Sequence, residues 1–274
     1  MSTLSRIFTA INKRYKALDE DIDVSDYIQP HALNIKVEHE PFNHIVIDNF
    51  FKEDFLEELT RYYQTIFSKG LVDDDTEKER FHLFEKKINY DGYVFSPEVT
   101  QEEPLKLFFS VAWNQFFSDM FNKPTTFGTS FALHHHPIGD KAGWVHHDYA
   151  TYTFPYKLVL PNGVTGTRGE AGKVTLTPAE EKTKNIQQKR TIALIFYFNN
   201  PEWKEGDGGE TGLYTSKSED GLVKKVAPVN NRLLAFDVSP QSFHAFQENH
   251  TDRNSFVQWF HIDLEWAENK YGFL

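Results

Sequence analysis

The sequence predicts an α+β protein that is mainly β, with a double-stranded β-helix (a jelly-roll or cupin-like barrel) as its core and N-terminal helices packed on one face. Three observations support this fold class. From residue 126 onward, about eight short β segments follow one another, separated by turn residues. Amphipathic helical patterns lie before that point. Aromatic residues make up 15% of the chain, which favours a packed sheet protein over a disordered chain.

Apolar residues at helical spacing predict three helices, at residues 3–18, at 53–69 with Gly70 as C-cap, and from Pro104 to about residue 121. A strand is predicted within 42–51, and the charged run 73–80 predicts an exposed loop. We therefore divide the chain into a helical and strand support region, residues 1–125, and a barrel core, residues 126–274, within a single domain.

The core strands are predicted at residues 127–136, 143–149, 190–199, 210–215, 222–226, 231–237, 243–247 and 254–264. The segment 149–189 interrupts them with a long polar stretch and a hairpin turn at Pro161-Asn162-Gly163. Long connections with little core character are usually functional or disordered. Because this one follows the candidate site described below, it is interpreted as a lid-like insertion.

Composition excludes several classes of function. The formal net charge is −11 and no basic stripe is present, so a nucleic-acid partner is not expected. The chain has no cysteine, which excludes disulfides, zinc knuckles, iron–sulfur clusters and thiol catalysis. No apolar run resembles a signal peptide or approaches transmembrane length, so we expect a cytoplasmic protein without a membrane partner. The oligomeric state stays open.

The stretch Gly143-Trp144-Val145-His146-His147-Asp148-Tyr149 contains the first candidate metal ligands. On an extended strand His146 and Asp148 point to the same face, where an imidazole and a carboxylate can bind a divalent metal from one side. His244, in a short β pattern late in the barrel, is a candidate third ligand. Arg253 begins the final strand nine residues later. A buried guanidinium requires an anion, so a metal with open positions beside it predicts a pocket for a carboxylate-bearing co-substrate.

With these residues the chain resembles the Fe(II)/2-oxoglutarate-dependent dioxygenases, and among them the prolyl-4-hydroxylase-like group. The family pattern is H-x-D, a distant histidine and a basic residue nine or ten positions after it, as in His146-x-Asp148, His244 and Arg253. The strand 190–199, followed by Trp203 and by Gly208-Gly209, is similar to the family's "YLN…W…GG" segment. The resemblance covers about residues 127–264, with a looser likeness at 42–60.

The resemblance implies a role for each matching residue. Fe(II) would be bound by His146, Asp148 and His244, which are also the catalytic set. Arg253 would pair with the distal carboxylate of 2-oxoglutarate, Tyr197 would donate to it, and Ser255 would add a hydroxyl. His136 stands where related enzymes often have a tyrosine near the co-substrate, which is a departure from the pattern. Residues near the pocket mouth that are candidates for substrate contact are Trp144, Tyr149 and Arg190, although each is equally well explained as a packing or surface residue.

The implied reaction is hydroxylation of an unactivated C–H bond, with O2 and 2-oxoglutarate as co-substrates and ascorbate as a candidate reductant. Because Asp148 leaves no ligand position for a halide, hydroxylation is favoured over halogenation. The resemblance favours a prolyl residue in a peptide or protein as substrate. A free amino acid or a small biosynthetic intermediate is the alternative, because the insertion at 149–189 departs from the short connection of those enzymes. A non-redox cupin-type metal-binding protein is a further alternative.

Demethylation of nucleic acid by the AlkB-like branch is a rival within the same family. That branch has a second arginine six residues after the first, and this chain has Trp259 at that position. Together with the acidic net charge, this difference argues against a nucleic-acid substrate.

Overall fold

The computed structural model describes residues 22–68, 82–87, 90–94, 103–126, 128–155, 165–167 and 185–272. The predicted helix at 3–18, the C-cap at Gly70, the loop at 73–80 and the turn at 161–163 lie outside these residues. In the described part of the chain, no helix has both the length and the apolar character needed to cross a membrane.

The described elements are mostly strands, which agrees with the predicted fold class. The helices are α1 (Glu53–Ser68), α2 (Val111–Met120) and α3 (Leu264–Tyr271). The strands are β1 (His44–Ile47), β2 (His82–Lys87), β3 (Tyr90–Val94), β4 (Gly128–His136), β5 (Thr151–Pro155), β6 (Thr165–Thr167), β7 (Asn185–Tyr197), β8 (Thr211–Tyr214), β9 (Leu222–Val226), β10 (Arg232–Asp237), β11 (Phe243–Phe246) and β12 (Arg253–Asp263). Short 3₁₀ turns lie at Val24–Asp26, Pro30–Asn34, Leu105–Phe109 and Glu219–Gly221.

Two sheets form the barrel. Across the described residues, the larger sheet has the strand order β1-β10-β7-β12-β4-β3-β2, and β5 and β6 pair with β7 and β4. The smaller sheet has the order β11-β8-β9. All pairs are antiparallel except β4 with β6. This arrangement of two mainly antiparallel sheets confirms the predicted double-stranded β-helix.

The large sheet separates two hydrophobic clusters, because alternate residues of each strand point to opposite faces. One face packs against α1 and α2, and β12 contributes Phe256 and Phe260 to it. The other face lies inside the barrel, where β12 contributes Val257 and Trp259. We call these the helix face and the barrel face. Strand β7 alternates in the same way, with Phe196 on the helix face and Tyr197 on the barrel face.

The helix predicted from Pro104 to about residue 121 is two elements. Residues Leu105–Phe109 form a 3₁₀ turn, and α2 begins after Ser110. Ser110 is extended, with ψ at 154°, and its hydroxyl accepts a hydrogen bond from the backbone N–H of Trp113 at 3.0 Å. Serine is favoured at this N-cap position because its oxygen satisfies a free N–H at the helix start. The apolar periodicity of the sequence therefore continued from the 3₁₀ turn into α2 and did not reveal that the helix begins only after Ser110.

Several strands were missed by the sequence analysis. The hairpin β2–β3 pairs with the edge of β4, and β5 pairs with the first residues of β7. As a result β7 begins at Asn185, five residues before the predicted strand. Helix α3 was also missed; Asp263 caps it by accepting from the backbone N–H of Trp266.

The two described ends of the insertion at 149–189 lie in the sheet. Thr151 stands opposite Lys189 and Pro155 opposite Asn185, so the insertion leaves and re-enters the barrel as two paired strands. Residues 156–164 and 168–184 lie outside the described part. The role of the insertion at 149–189 as a lid stays a prediction.

Candidate metal and co-substrate site

The segment 143–149 was predicted as a strand, and this is wrong: only His146 forms a β-bridge, with His244. The backbone N–H groups of these two histidines donate to each other's carbonyl oxygens at 3.0 and 2.8 Å. The N–H of Gly143 donates to the carbonyl of Phe246 at 2.9 Å. Gly143 and His146 are three residues apart, whereas their partners Phe246 and His244 are two residues apart on β11, so the first segment contains one extra residue. Such an extra residue is a bulge that interrupts a ladder and redirects side chains.

The structure brings the three predicted metal ligands together. One ligand atom from each of His146, Asp148 and His244 lies within 4.8 Å of the others. The Nε2 atoms of His146 and His244 are each 3.6 Å from a different oxygen of Asp148. Asp148 and His244 are buried, while the side chain of His146 is 41% exposed. The site therefore opens to solvent on the His146 side.

The hydrogen bonds of both histidines orient them for metal binding. Nδ1 of His146 lies 2.9 Å from the carbonyl oxygen of Trp144, and Nδ1 of His244 lies 3.1 Å from that of Ser242. A carbonyl oxygen only accepts, so Nδ1 carries a proton in each ring, and Nε2 is the nitrogen that the neutral ring offers to a metal. Burial lowers the pKa of His244 to about 4, so this ring is neutral at pH 7. Neutral imidazole is the form that binds a metal.

The carboxylate of Asp148 has two further partners. Burial alone would raise its pKa, but His244, Arg190, His146 and a hydrogen bond from Trp259 hold that pKa well below its usual range. Because His244 is neutral at pH 7, the Arg190 guanidinium and the Trp259 hydrogen bond, and not His244, favour the carboxylate at that pH. Nε1 of Trp259 donates to Oδ2 at 2.6 Å, and Nη1 of Arg190 lies 3.5 Å from Oδ1. Asp148 is therefore an anion at neutral pH.

Arg253 lies in a buried pocket of aromatic rings and hydroxyl groups. It is 4% exposed, and its guanidinium carbon is 5.1 Å from the centre of the Tyr197 ring and 5.2 Å from that of Phe246. Its Nη atoms approach Ser255 Oγ at 3.4 Å and Thr211 Oγ1 at 3.3 Å. Nε has no hydrogen-bond partner among the described residues. A buried cation with an unused donor fits an incoming carboxylate.

The pocket around Arg253 and the metal triad share strand β11. His244 and Phe246 point to the same face of that strand, two residues apart. The Phe246 ring stacks on His136, with centroids 3.9 Å apart, and His136 stands opposite Arg253 in the pairing of β4 with β12. His136 is therefore buried beside Arg253, in the region where the resemblance placed it.

The Gly208-Gly209 turn closes this region. Gly208 has φ at +70°, and a Cβ atom there would lie 2.0 Å from the carbonyl oxygen of Glu248. Nε1 of Trp203 donates to the Gly208 carbonyl at 2.9 Å. A Cβ on Gly209 would lie 3.5 Å from Cδ of Arg253. The "W…GG" segment thus packs closely against the backbone at Glu248 and against Arg253, the first residue of β12.

The three candidate substrate residues lie in different environments. Trp144 is 69% exposed, and its ring centroid is 6.3 Å from that of His146. Tyr149 is buried and packs edge-to-face on Tyr271 with centroids 5.4 Å apart. Arg190 contacts Asp148, one of the three candidate metal ligands. Contact of any of them with substrate stays a prediction.

Three neighbours of the site were not predicted: Thr211, Phe246 and Trp259. Hydroxyl oxygens of Thr211 and Tyr197 lie 2.6 Å apart, which makes Thr211 part of the Arg253 pocket. Strand alternation offered a signal for Phe246, two residues after His244, and for Trp259, six residues after Arg253. No sequence pattern pointed to Thr211, because its contact with Arg253 joins β8 to β12 and forms only when the barrel folds.

These residues fit Fe(II). Two neutral imidazoles and one carboxylate on one side of a metal form the two-histidine, one-carboxylate set of non-haem Fe(II) oxygenases, which leaves positions open for co-substrates. The unused Nε of Arg253 offers the matching partner for an acidic co-substrate.

Comparisons with known proteins agree with this site. Residues 172–261 match the model of the 2OG-Fe(II) oxygenase superfamily, a segment that includes His244 and Arg253 but not His146 and Asp148. The chain is similar to prolyl 3-hydroxylase OGFOD1 of Xenopus laevis, at 41% identity over 78 residues, which are 26% of this chain and 15% of the relative. The mouse protein of the same name is 37% identical over 78 residues, 14% of its length. The chain thus matches a small part of these curated relatives.

Among solved structures, a prolyl-4-hydroxylase from Pseudomonas putida is similar with a TM-score of 0.48 and 16% identity, over 79% of this chain and 91% of that chain. A Trichoplax adhaerens prolyl hydroxylase, solved with a peptide of hypoxia inducible factor, is similar with a TM-score of 0.46 and 14% identity, over 98% and 97% of the two chains. The family match over residues 172–261 and the described cluster of His146, Asp148 and His244 agree with each other.

Proposed function

We propose that this protein is an Fe(II)- and 2-oxoglutarate-dependent dioxygenase that hydroxylates a prolyl residue in a peptide or protein. The observation that carries the proposal is the pairing of two sites in one barrel. The triad of His146, Asp148 and His244 lies within 4.8 Å, and the buried Arg253 presents an unpartnered Nε inside the same barrel. A cupin-type protein that only binds metal has no need of the second feature.

Each part of the site has a separate task. The three ligands would hold Fe(II) from one side and leave the other side open. Arg253, with Tyr197 and Ser255 beside it, would bind the distal carboxylate of 2-oxoglutarate and so orient its keto acid end towards the metal. When bound, Fe(II) supplies the reductive activation of O2, so that one oxygen enters a C–H bond and the other enters succinate as CO2 leaves.

Burial inside the barrel shields the reacting atoms from water. Asp148, His244 and Arg253 are each at most 9% exposed. His146 is the more open ligand, and the exposed Trp144 stands next to it, so the substrate is proposed to approach from this side. An aromatic ring beside the entrance suits an apolar pyrrolidine ring.

The substrate class is supported by the relatives. Both curated relatives are named prolyl 3-hydroxylases, and the two solved structures are named prolyl hydroxylases. The sequence relatives point to C3 of the ring, whereas the ordered motif resembles the 4-hydroxylase group. We propose a prolyl residue and leave the ring carbon to the experiment.

The test begins without substrate. Purified protein with Fe(II), ascorbate and 2-oxoglutarate is expected to consume O2 and to release succinate slowly, and Asp148→Ala is expected to abolish both. Absence of 2-oxoglutarate-dependent O2 consumption in the wild-type protein would favour the cupin-type alternative. Proline-containing peptides and free amino acids are then screened for addition of one oxygen atom, and fragmentation with amino-acid analysis separates 3- from 4-hydroxyproline. Oxidation of a free amino acid but of no peptide would replace the proposed substrate class.

A cytoplasmic location, and the lack of nucleic-acid and membrane partners, are proposals that rest on the composition. The net charge of −11 supports the proposed lack of a nucleic-acid partner.

A further inference from the structure

Asp148 is held by side chains from two strands that are distant in sequence. Trp259 on β12 donates its Nε1–H to Oδ2 at 2.6 Å. Arg190 on β7 places Nη1 3.5 Å from Oδ1. One carboxylate oxygen therefore faces an indole N–H and the other faces a guanidinium.

The two partners of Asp148 also hold each other. The guanidinium carbon of Arg190 lies 3.8 Å from the centre of the Trp259 ring and 4.5 Å from that of Tyr152. Its Nη2 donates to the Tyr152 hydroxyl. The Arg190 side chain is 11% exposed, so it is largely desolvated between two rings. A planar guanidinium stacks on indole and bonds a carboxylate at the same time, and an ammonium group does neither as well.

We propose that Trp259 and Arg190 are positioning residues for the metal ligand Asp148. Trp259 fixes the orientation of the carboxylate plane, and Arg190 fixes Trp259 by stacking while it balances the negative charge of Asp148. The segment that carries Asp148 lacks a strand ladder of its own, because only His146 forms a bridge within it. The side-chain contacts from β7 and β12 therefore replace the backbone pairing that a regular strand would give. This inference rests on the proposed metal site.

The first experiment compares two tryptophan variants. Trp259→Phe keeps a ring under Arg190 but removes the hydrogen bond to Asp148. Trp113→Phe is the matched control: Trp113 is 1% exposed, and its Nε1 donates to Gln258 at 3.0 Å on the helix face of the same strand. Loss of a partner behind a metal ligand typically lowers metal affinity by about 10- to 100-fold. We expect this loss of Mn(II) affinity for Trp259→Phe and an unchanged Mn(II) affinity for Trp113→Phe. The melting temperature should decrease by a similar amount in both variants.

The measurement is Mn(II) binding, which is monitored through the electron paramagnetic resonance signal of the free ion. It requires no turnover. The visible spectrum of the Co(II) complex serves as a second readout, because its bands change when a ligand turns. Arg190→Gln is expected to weaken Mn(II) binding about tenfold or more and to alter the Co(II) spectrum. Its control is Arg232→Gln, which removes the same charge from a pair with Asp48.

Each outcome decides the matter. Equal Mn(II) affinities of wild type and Trp259→Phe would overturn the positioning role, as would equal losses in Trp259→Phe and Trp113→Phe. If Trp259→Phe does not fold, Arg190→Gln against Arg232→Gln decides by the same criterion. Failure of the wild-type protein to bind Mn(II) or Co(II) would instead refute the metal site, and the positioning role with it.

Discussion

The helix face and the barrel face of the large sheet are built from the same strands but hold different chemistry. On β12 the helix face carries Phe256 and Phe260, which pack against rings from the helices and the turn before α2. The barrel face of the same strand carries Arg253, Ser255 and Trp259. There Arg253 contacts the Ser255 hydroxyl, and the Trp259 indole donates to Asp148. A shift of one residue along the strand separates the two environments.

The difference lies in how polar groups are satisfied. On the helix face, Gln258 is buried and its amide bonds to Phe108, Thr129 and Trp113. On the barrel face, the Nε atoms of Arg253 and Arg190 are buried without a partner among the described residues. An unsatisfied buried donor is costly, so it is expected where a ligand completes the site. Among the described residues, the buried Gln258 on the helix face is therefore fully paired, whereas the two arginines on the barrel face keep donors that a ligand could use.

The largest effect is expected for Asp148→Ala, which removes the anionic ligand. Metal binding and 2-oxoglutarate turnover should both fall below detection, because two histidines alone bind a divalent ion weakly. The control is His147→Ala, since the His147 ring lies 5.7 Å from that of Phe243, between centroids, and is not one of the three clustered ligands. Isothermal titration with Mn(II) and a succinate assay are the measurements. Full activity of Asp148→Ala would disprove the triad.

Phe256→Ala is expected to be the strongest change on the helix face. Its ring is 2% exposed and stacks on Phe198 with centroids 4.3 Å apart, so the variant should lose about 3–5 kcal/mol of unfolding free energy. Chemical denaturation measures this loss. At low temperature, where the variant is still folded, its Mn(II) affinity should equal that of the wild type. A lower affinity of the folded variant would show that the two faces are coupled.

Arg253→Ala is expected to act on the barrel face alone. Removing one partner of a buried charge pair costs about 2–5 kcal/mol, which corresponds to about a thirtyfold or larger increase in the Kd of 2-oxoglutarate. The affinity for Mn(II) without 2-oxoglutarate should stay close to that of the wild type. Arg232→Ala, which removes the pair with Asp48 and a hydrogen bond to the Ala227 carbonyl, should leave both affinities unchanged. An unchanged co-substrate Kd in Arg253→Ala would mean that another group binds the carboxylate.

The two faces also explain which features the sequence could reveal. Strands β8 to β12 were predicted within one or two residues, because turn residues such as Gly206–Gly209 and Ser239–Pro240 separate them. The hairpin β2–β3 was missed because its first strand ends in Glu85-Lys86-Lys87, which has no apolar alternation. His146, Asp148, His244 and Arg253 have a fixed order and spacing that can be read from one chain. The contact of Trp259 with Asp148 joins residues 111 positions apart and depends on the register of the folded sheet.

The smallest expected effect comes from a comparison of two buried tyrosines, one in the cluster on the helix face and one in the cluster on the barrel face. Tyr63 and Tyr197 are both fully buried. The Tyr63 hydroxyl donates to Asn254 at 3.0 Å on the helix face, and the Tyr197 hydroxyl lies 2.6 Å from Thr211 on the barrel face. Replacement of either by phenylalanine removes one hydrogen bond, and each should lose about 0.5–1.5 kcal/mol of unfolding free energy. Only Tyr197→Phe should also raise the Kd of 2-oxoglutarate, by up to about tenfold, because only its hydroxyl stands beside Arg253. Equal co-substrate affinities in the two variants would limit Tyr197 to a packing role and leave the carboxylate to Arg253 and Ser255.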